Sequence, residues 1–216
     1  MKKILFKLLL TLPFIGFGQN TYNLEETKWN NDSTIRLLKS NSQPINGIVT
    51  GSDDKKIKNH KMVFENGIKV SCIGYYKNGK LNHDVKFNGY SKSCYKNGQI
   101  KEEGNTEDGY YSGLWKYYNK KGVLTEESIF KEGEELVTKY YNKKGLLIFE
   151  QEWIGDNSYL IKEYWDGNLL EEGNYIDGKK DGVWKYYISD ESLDGKEKWI
   201  ELEKEVIFKN GKKVKN

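Results

Sequence analysis

Apolar and polar residues alternate with a period of two in short runs along most of this chain, and nearly every run stops at a glycine. In Leu114-Trp115-Lys116-Tyr117-Tyr118 the alternation puts Trp115 and Tyr117 on one face of a strand and Leu114, Lys116 and Tyr118 on the other. Asn-Gly or Asp-Gly pairs begin at Asn66, Asn78, Asn88, Asn97, Asp108, Asp166, Asp177, Asp181, Asp194 and Asn210. Such pairs supply the positive-φ positions of type I′ hairpin turns, and strands of about six to nine residues fit between them. The pattern predicts an all-β chain of successive antiparallel hairpins, with no large helical domain.

The runs also repeat. Aromatic pairs or their equivalents start at Tyr75, Cys94, Tyr117, Tyr140, Tyr164 and Tyr186, at intervals of 19, 23, 23, 24 and 22 residues. A glutamate-rich segment follows each turn, as in Glu102-Glu103, Glu126-Glu127 and Glu171-Glu172. The block Gly113-Leu114-Trp115-Lys116-Tyr117-Tyr118 recurs at Gly182-Val183-Trp184-Lys185-Tyr186-Tyr187, 69 residues or three 23-residue units later. One unit is an aromatic strand, a glycine turn, a glutamate strand and a Gly-x-Trp return, and stability is expected from contacts between neighbouring units. The strict phase of Trp115, Trp184, Tyr117 and Tyr186 marks them as packing residues.

Composition agrees with sheet: the chain has no alanine and only two prolines, but sixteen tyrosines, six tryptophans and twenty-two glycines. At the N-terminus, Lys2-Lys3 precede an apolar stretch, Ile4 to Phe17, that ends in Gly16-Phe17-Gly18-Gln19. This order predicts a signal peptide over residues 1–18, cleaved near Gly18-Gln19, with the mature protein periplasmic or extracellular. No later segment is long and apolar enough for a transmembrane span. Removing Lys2, Lys3 and Lys7 from the 35 basic residues leaves 32, which matches the 32 acidic ones. A neutral chain with a single arginine, Arg36, lacks the basic footprint that nucleic acid requires.

The predicted organisation has an N-terminal cap over 19–51, a repeat array over 52–213 and a tail over 214–216. In the cap, Ile35 to Leu38 and Gln43 to Val49 are expected to form two short strands joined by a polar turn. Gly51 to His60 reads as a charged loop, and Ser189 to Lys198 as an insertion in the last full repeat.

The Gly-x-Trp-Lys-Tyr-Tyr blocks at Gly113 and Gly182, and Tyr-Tyr-Lys-Asn-Gly-Lys-Leu at Tyr75, resemble the MORN-variant repeat of bacterial proteins. The resemblance runs from about Asn46 to Lys213. It implies an elongated, repetitive antiparallel sheet, a MORN-like meander or open solenoid, and some members of that family are described as antitoxin components of toxin–antitoxin systems.

Candidate chemistry is sparse. His60 and His83 lie twenty-three residues apart, in no familiar metal-ligand spacing, and read as surface histidines, so no metal or cofactor is expected. In a simple meander Cys72 and Cys94 fall two strands apart, about 9.6 Å, which exceeds disulfide range. The paired glutamates could suggest a glycosidase, but they follow the repeat, as cross-strand charge partners do. The glycines sit singly at turns and open no phosphate-binding helix. No catalytic residue is assigned. Trp153 and Trp165 depart from the repeat phase and, with Tyr159 and Tyr164, form the candidate contact surface for a protein or, alternatively, a glycan. The expected function is a non-enzymatic binding or scaffolding module of the cell envelope. The alternative is an antitoxin or immunity-type protein that neutralises a toxin by direct binding.

Overall fold

A computed structural model describes residues 20–51, 57–191 and 198–214. The expected signal peptide and its cleavage point, and the Asp194-Gly195 turn, lie outside the described residues. Sixteen strands form one sheet. Its first two members are β1 (Thr21–Asn23) and β4 (Gly47–Thr50). Then follow, in chain order, β5 (Ile57–Glu65), β6 (Ile68–Tyr76), β7 (Leu81–Lys86), β8 (Gly89–Cys94), β9 (Ile100–Glu107), β10 (Tyr110–Tyr118) and β11 (Leu124–Lys131). The series continues through β12 (Glu134–Tyr141), β13 (Leu147–Gly155), β14 (Ser158–Trp165), β15 (Asn168–Ile176), β16 (Lys179–Glu191), β17 (Lys198–Lys209) and β18 (Lys212–Lys213). From β4 onward each strand lies antiparallel beside its successor, so the array is an uninterrupted meander, open at β1 and β18.

The cap contains the two expected strands, bridged antiparallel at Leu37↔Pro44, and two more that the sequence did not predict. Arg36–Leu38 (β3) pairs with β2 (Thr27–Trp29) in a separate ribbon, while β1 runs parallel to β4 as Thr21↔Ile48, Tyr22↔Val49 and Asn23↔Thr50. Arg36 is buried, its Nε donating to Thr27 Oγ1 at 2.8 Å and its guanidinium lying over the Trp29 ring. Here the protein has a compact apolar core: Ile45, Val49 and Phe64, with Tyr22, Leu24, Leu38 and Met62 against them. The parallel pairing escaped the sequence because a three-residue edge strand has no periodicity to detect. Residues 57–60, expected in a loop, are strand, and residues 189–191 and 198–200, at the two ends of the expected insertion, continue the β16–β17 pairing.

The turns are of two kinds. At Asn66, Asp108, Asp166, Asp177 and Asn210 φ is near +50°, and the following glycine is also positive, as type I′ turns require. Glu132-Gly133 adopts the same form without an Asn or Asp. At Asn78-Gly79 and Asn97-Gly98 only the glycine is left-handed, and a three-residue loop closes as Gly79 N–H donates to Tyr76 O. These two are therefore not type I′ turns.

Asp181-Gly182 makes no hairpin turn. It belongs to a bulge inside β16. Asp181 pairs with Asn174 and Lys185 with Glu172, so Gly182, Val183 and Trp184 stand opposite the single residue Gly173. In β10, likewise, Gly113, Leu114 and Trp115 stand opposite Gly104. Gly113 and Gly182 are left-handed, at φ +66° and +75°, which arches the strand. The arch lays each indole over the neighbouring strand's glycine, and Nε1 donates to the next carbonyl, Asn105 O at 2.8 Å or Asn174 O at 3.1 Å. Trp115 and Trp184 are 2% and 0% exposed, and Tyr111 stacks on Trp115 with centroids 3.7 Å apart. The Gly-x-Trp signature is thus a packing device.

A Cβ at Gly104 or Gly173 would collide with the indole. Gly173→Ala is expected to destabilise by about 1–3 kcal/mol through overpacking, and Trp184→Ala by about 3–5 kcal/mol through the void it leaves. Urea unfolding followed by tryptophan fluorescence and circular dichroism checks both. A Gly173→Ala protein as stable as the parent would contradict this packing.

Candidate functional site

The paired glutamates separate onto opposite faces of the sheet. On one face the second member of each pair joins a charge ladder with one residue from each of eleven strands. Its order is Asp84, Lys92, Glu103, Lys116, Glu127, Lys139, Glu150, Lys162, Glu172, Lys185 and Glu205, each in register with the next. The sign alternates at every step. Lys116–Glu127 and Lys139–Glu150 close to 3.5 and 3.6 Å. Such partly exposed pairs contribute only tenths of a kcal/mol each. Like charges placed directly opposite would repel, so the ladder specifies register as much as it stabilises it.

A tyrosine completes four of the six acidic rungs. The hydroxyls of Tyr118, Tyr141, Tyr164 and Tyr187 donate to Glu103, Glu127, Glu150 and Glu172 at 2.7, 2.6, 3.3 and 2.6 Å. Tyr90 adds a second short bond to Glu103. These hydrogen bonds, with Lys116 and Lys92 nearby, hold the Glu103 carboxyl below its ordinary range despite partial burial. On the other face Glu102, Glu126 and Glu171 stand in register with Tyr117, Tyr140 and Tyr186. Burial raises Glu126, with Glu135 adding to the effect.

The candidate contact residues do not converge. Trp153 and Tyr159 face each other across β13 and β14, and Tyr159 is in turn opposite Tyr175. Trp165 lies six residues from Tyr159 along β14, roughly 20 Å away. It is 74% exposed, at a hairpin tip beside Asn142, Lys144 and Ile148. Trp153 is 42% exposed and borders a separate depression with Ile129, Leu136 and Glu152. Tyr164 is half-buried, in the ladder.

A different set of residues does converge. His60 in β5, Cys72 in β6 and His83 in β7 bring their ligand atoms within 4.8 Å of one another. The distances are His60 Nε2 to Cys72 Sγ 2.7 Å, Cys72 Sγ to His83 Nε2 3.3 Å, and His83 Nε2 to His60 Nε2 3.2 Å. The expectation of surface histidines is therefore overturned: both are half-buried, their rings meeting edge to face at 5.1 Å. Register explains why. Gly74 stands opposite His83 on the central strand and puts no side chain between the rings, while Cys72, two residues along, points to the same face. One repeat is two strands, so residues 23 apart return to the same face two strands away. That spacing was the missed signal.

Burial raises the Cys72 thiol, with Lys69 opposing and Asp84 reinforcing the shift. Burial lowers His83, helped by His60 and Lys69. Asp84 Oδ1 is buried and meets Lys86 Nζ at 2.9 Å as an ion pair, without hydrogen-bond alignment. His83 Nδ1 lies 2.6 Å from Asn82 Oδ1, which fixes the proton on Nδ1 and leaves the Nε2 lone pair facing the cluster. Both cysteines are free thiols.

No family model matches the chain, and no curated protein matches it. Among solved structures, a mutant of S. aureus TarM in complex with fondaparinux, α-GlcNAc-glycerol and UDP aligns at 10% identity and a TM-score of 0.26, covering 49% of this chain and 19% of that one. Accessory secretory protein 1, 2 and 3 of Streptococcus pneumoniae aligns at 16% identity and a TM-score of 0.20, over 53% and 20%. The chain spans about a fifth of the length of these structures. Superpositions this loose carry no functional inference.

The tyrosine–glutamate rungs have a titration signature. Burial first, then the neighbouring glutamate, pushes Tyr118, Tyr141 and Tyr164 up to about 12, and for Tyr187 the hydrogen bond to Glu172 comes first. In the unfolded chain these phenols ionise near pH 10. Their contribution to stability is therefore complete below about pH 10 and lost as the pH rises through about 12. Ultraviolet titration of the folded protein should show a delayed phenolate fraction, and Glu150→Gln should return Tyr164 toward 10. Uniform ionisation near 10 would contradict the rungs.

Proposed function

We propose that this chain is an exported, non-enzymatic binding or scaffolding module that presents its open sheet to a protein partner. The carrying observation is the presence of large exposed aromatic residues on a rigid repeating frame: Trp165 at a hairpin tip, and Trp153 beside Tyr159. Exposed aromatic side chains on a preordered surface lose little conformational freedom on binding and bury much apolar area. What favours binding over catalysis is the employment of the glutamates: Glu103, Glu127, Glu150 and Glu172 are engaged by tyrosine hydroxyls in the ladder. The 23-residue period and the Gly-x-Trp bulges support placing the chain with MORN-variant repeat proteins. Export rests on the basic-then-apolar order of residues 1–18.

The test is comparative capture from envelope extract with the mature protein and with Trp165→Ala and Trp153→Ala variants of unchanged circular dichroism. A partner retained by the parent and reduced at least about tenfold by one variant, in line with the cost of losing an aromatic anchor, is expected. Capture that is indifferent to both substitutions would overturn the assigned surface. A toxin as the retained partner would turn the reading toward neutralisation.

A further inference from the structure

The chain contains two histidines and two cysteines, and both histidines and one cysteine meet at one point in the fold. From this geometry we infer that His60, Cys72 and His83 form a binding site for a thiophilic d10 cation, zinc(II) or copper(I).

The triangle is already close to the size a cation needs. A tetrahedral zinc ion, with Zn–N of about 2.0–2.1 Å and Zn–S of about 2.3 Å, sets its ligands about 3.3 Å apart for N···N and about 3.5 Å for N···S. The His60–His83 and Cys72–His83 edges, at 3.2 and 3.3 Å, lie near those values. The His60–Cys72 edge, at 2.7 Å, has to open by less than about 1 Å. Three protein ligands on a half-buried face leave the fourth position for water or an outside ligand. One thiolate with two imidazoles suits zinc and copper, whereas magnesium and calcium prefer oxygen.

Protons alone satisfy the cluster poorly. Asn82 fixes His83 with its Nε2 as an acceptor. If His60 Nε2 is also unprotonated, two lone pairs face each other at 3.2 Å. If it carries a proton, its nearest acceptor is the weakly accepting Cys72 sulfur at 2.7 Å, and the thiol proton is left with the 3.3 Å contact to His83. A cation that displaces the thiol proton gives all three atoms one shared partner. The negative charge of Asp84 favours such an ion, and the positive charge of Lys69 opposes it. Asn82 is the extra residue of the β7 bulge, so the bulge sets the amide contact that orients the His83 ring as well as the ring's position.

The test uses the full mature chain, reduced and metal-free, titrated with zinc(II) against a chromophoric chelator and, separately, with copper(I) against a copper(I)-specific competitor. Cobalt(II) serves as a spectroscopic probe. One equivalent per chain is expected, with a thiolate-to-cobalt charge-transfer band that Cys72→Ser abolishes and Cys94→Ser retains. Asn82→Ala should weaken binding by about 10–100-fold, and His83→Gln by more. Circular dichroism establishes that each variant is folded, and the parent's stoichiometry is decisive if one is not. No stoichiometric binding of either metal by the parent would overturn the site. So would equal affinity in the folded His83→Gln protein, or dependence on Cys94 rather than Cys72.

Discussion

Because no second layer presses along this sheet among the described residues, each strand must draw its stability from the side chains of the two strands beside it. Cross-strand pairing in fixed register is therefore the interaction on which everything else depends. One face answers with the alternating lysine–glutamate ladder and its tyrosine rungs. The other answers with indoles laid over Gly104 and Gly173 and with small buried residues, Ser91, Ser128 and Thr138, beneath larger neighbours. The individual contributions are modest. They add because the same pairing recurs at every step, as nearest-neighbour coupling does in repeat proteins. Among the described residues, a conventional apolar core closes the array only at the N-terminal end, around Ile45, Val49 and Phe64.

Much of this was legible in the sequence, since period-two alternation and glycine turns define strands locally. The repeat is more regular than the aromatic pairs suggested. The tyrosines that define its phase are Tyr118, Tyr141, Tyr164 and Tyr187, spaced by 23 throughout. Tyr164 is the second member of its pair, following Glu163, so aligning Tyr164-Trp165 with Tyr117-Tyr118 shifted one unit by a residue and made the period wander. Tyr164, in phase, belongs to the ladder through its hydroxyl on Glu150. The division of each glutamate pair between faces follows from the pleat, but its partners follow from the bulges, which alternation does not reveal. Extra residues at Asn82, Lys101, Thr125, Ile148, Leu170 and Glu203 fall at the equivalent place in successive units.

The same regularity separates structural residues from functional candidates. Residues in phase are explained by their neighbours in the ladder and on the indole face. Trp165 and Trp153 stand outside that pattern on exposed ground. The histidine–cysteine cluster lies between the cap core and the regular array, where the aromatic pairs are nineteen residues apart and Gly74 opens a gap on the central strand. Its histidines are one full unit apart, so the repeat that builds the frame also brings them together over Cys72.

If register pairing between identical units is the organising interaction, one unit should be removable. Excising Asn119 to Tyr141 joins Tyr118 to Asn142 and places Lys116 opposite Glu150, where Lys139 stands in the parent. The alternation of charge then continues unbroken. The shortened protein should keep a β-sheet circular dichroism spectrum of the parent's intensity per residue and a cooperative urea transition. Loss of the β spectrum, or a non-cooperative transition, would contradict the claim that the fold is held by interchangeable neighbours.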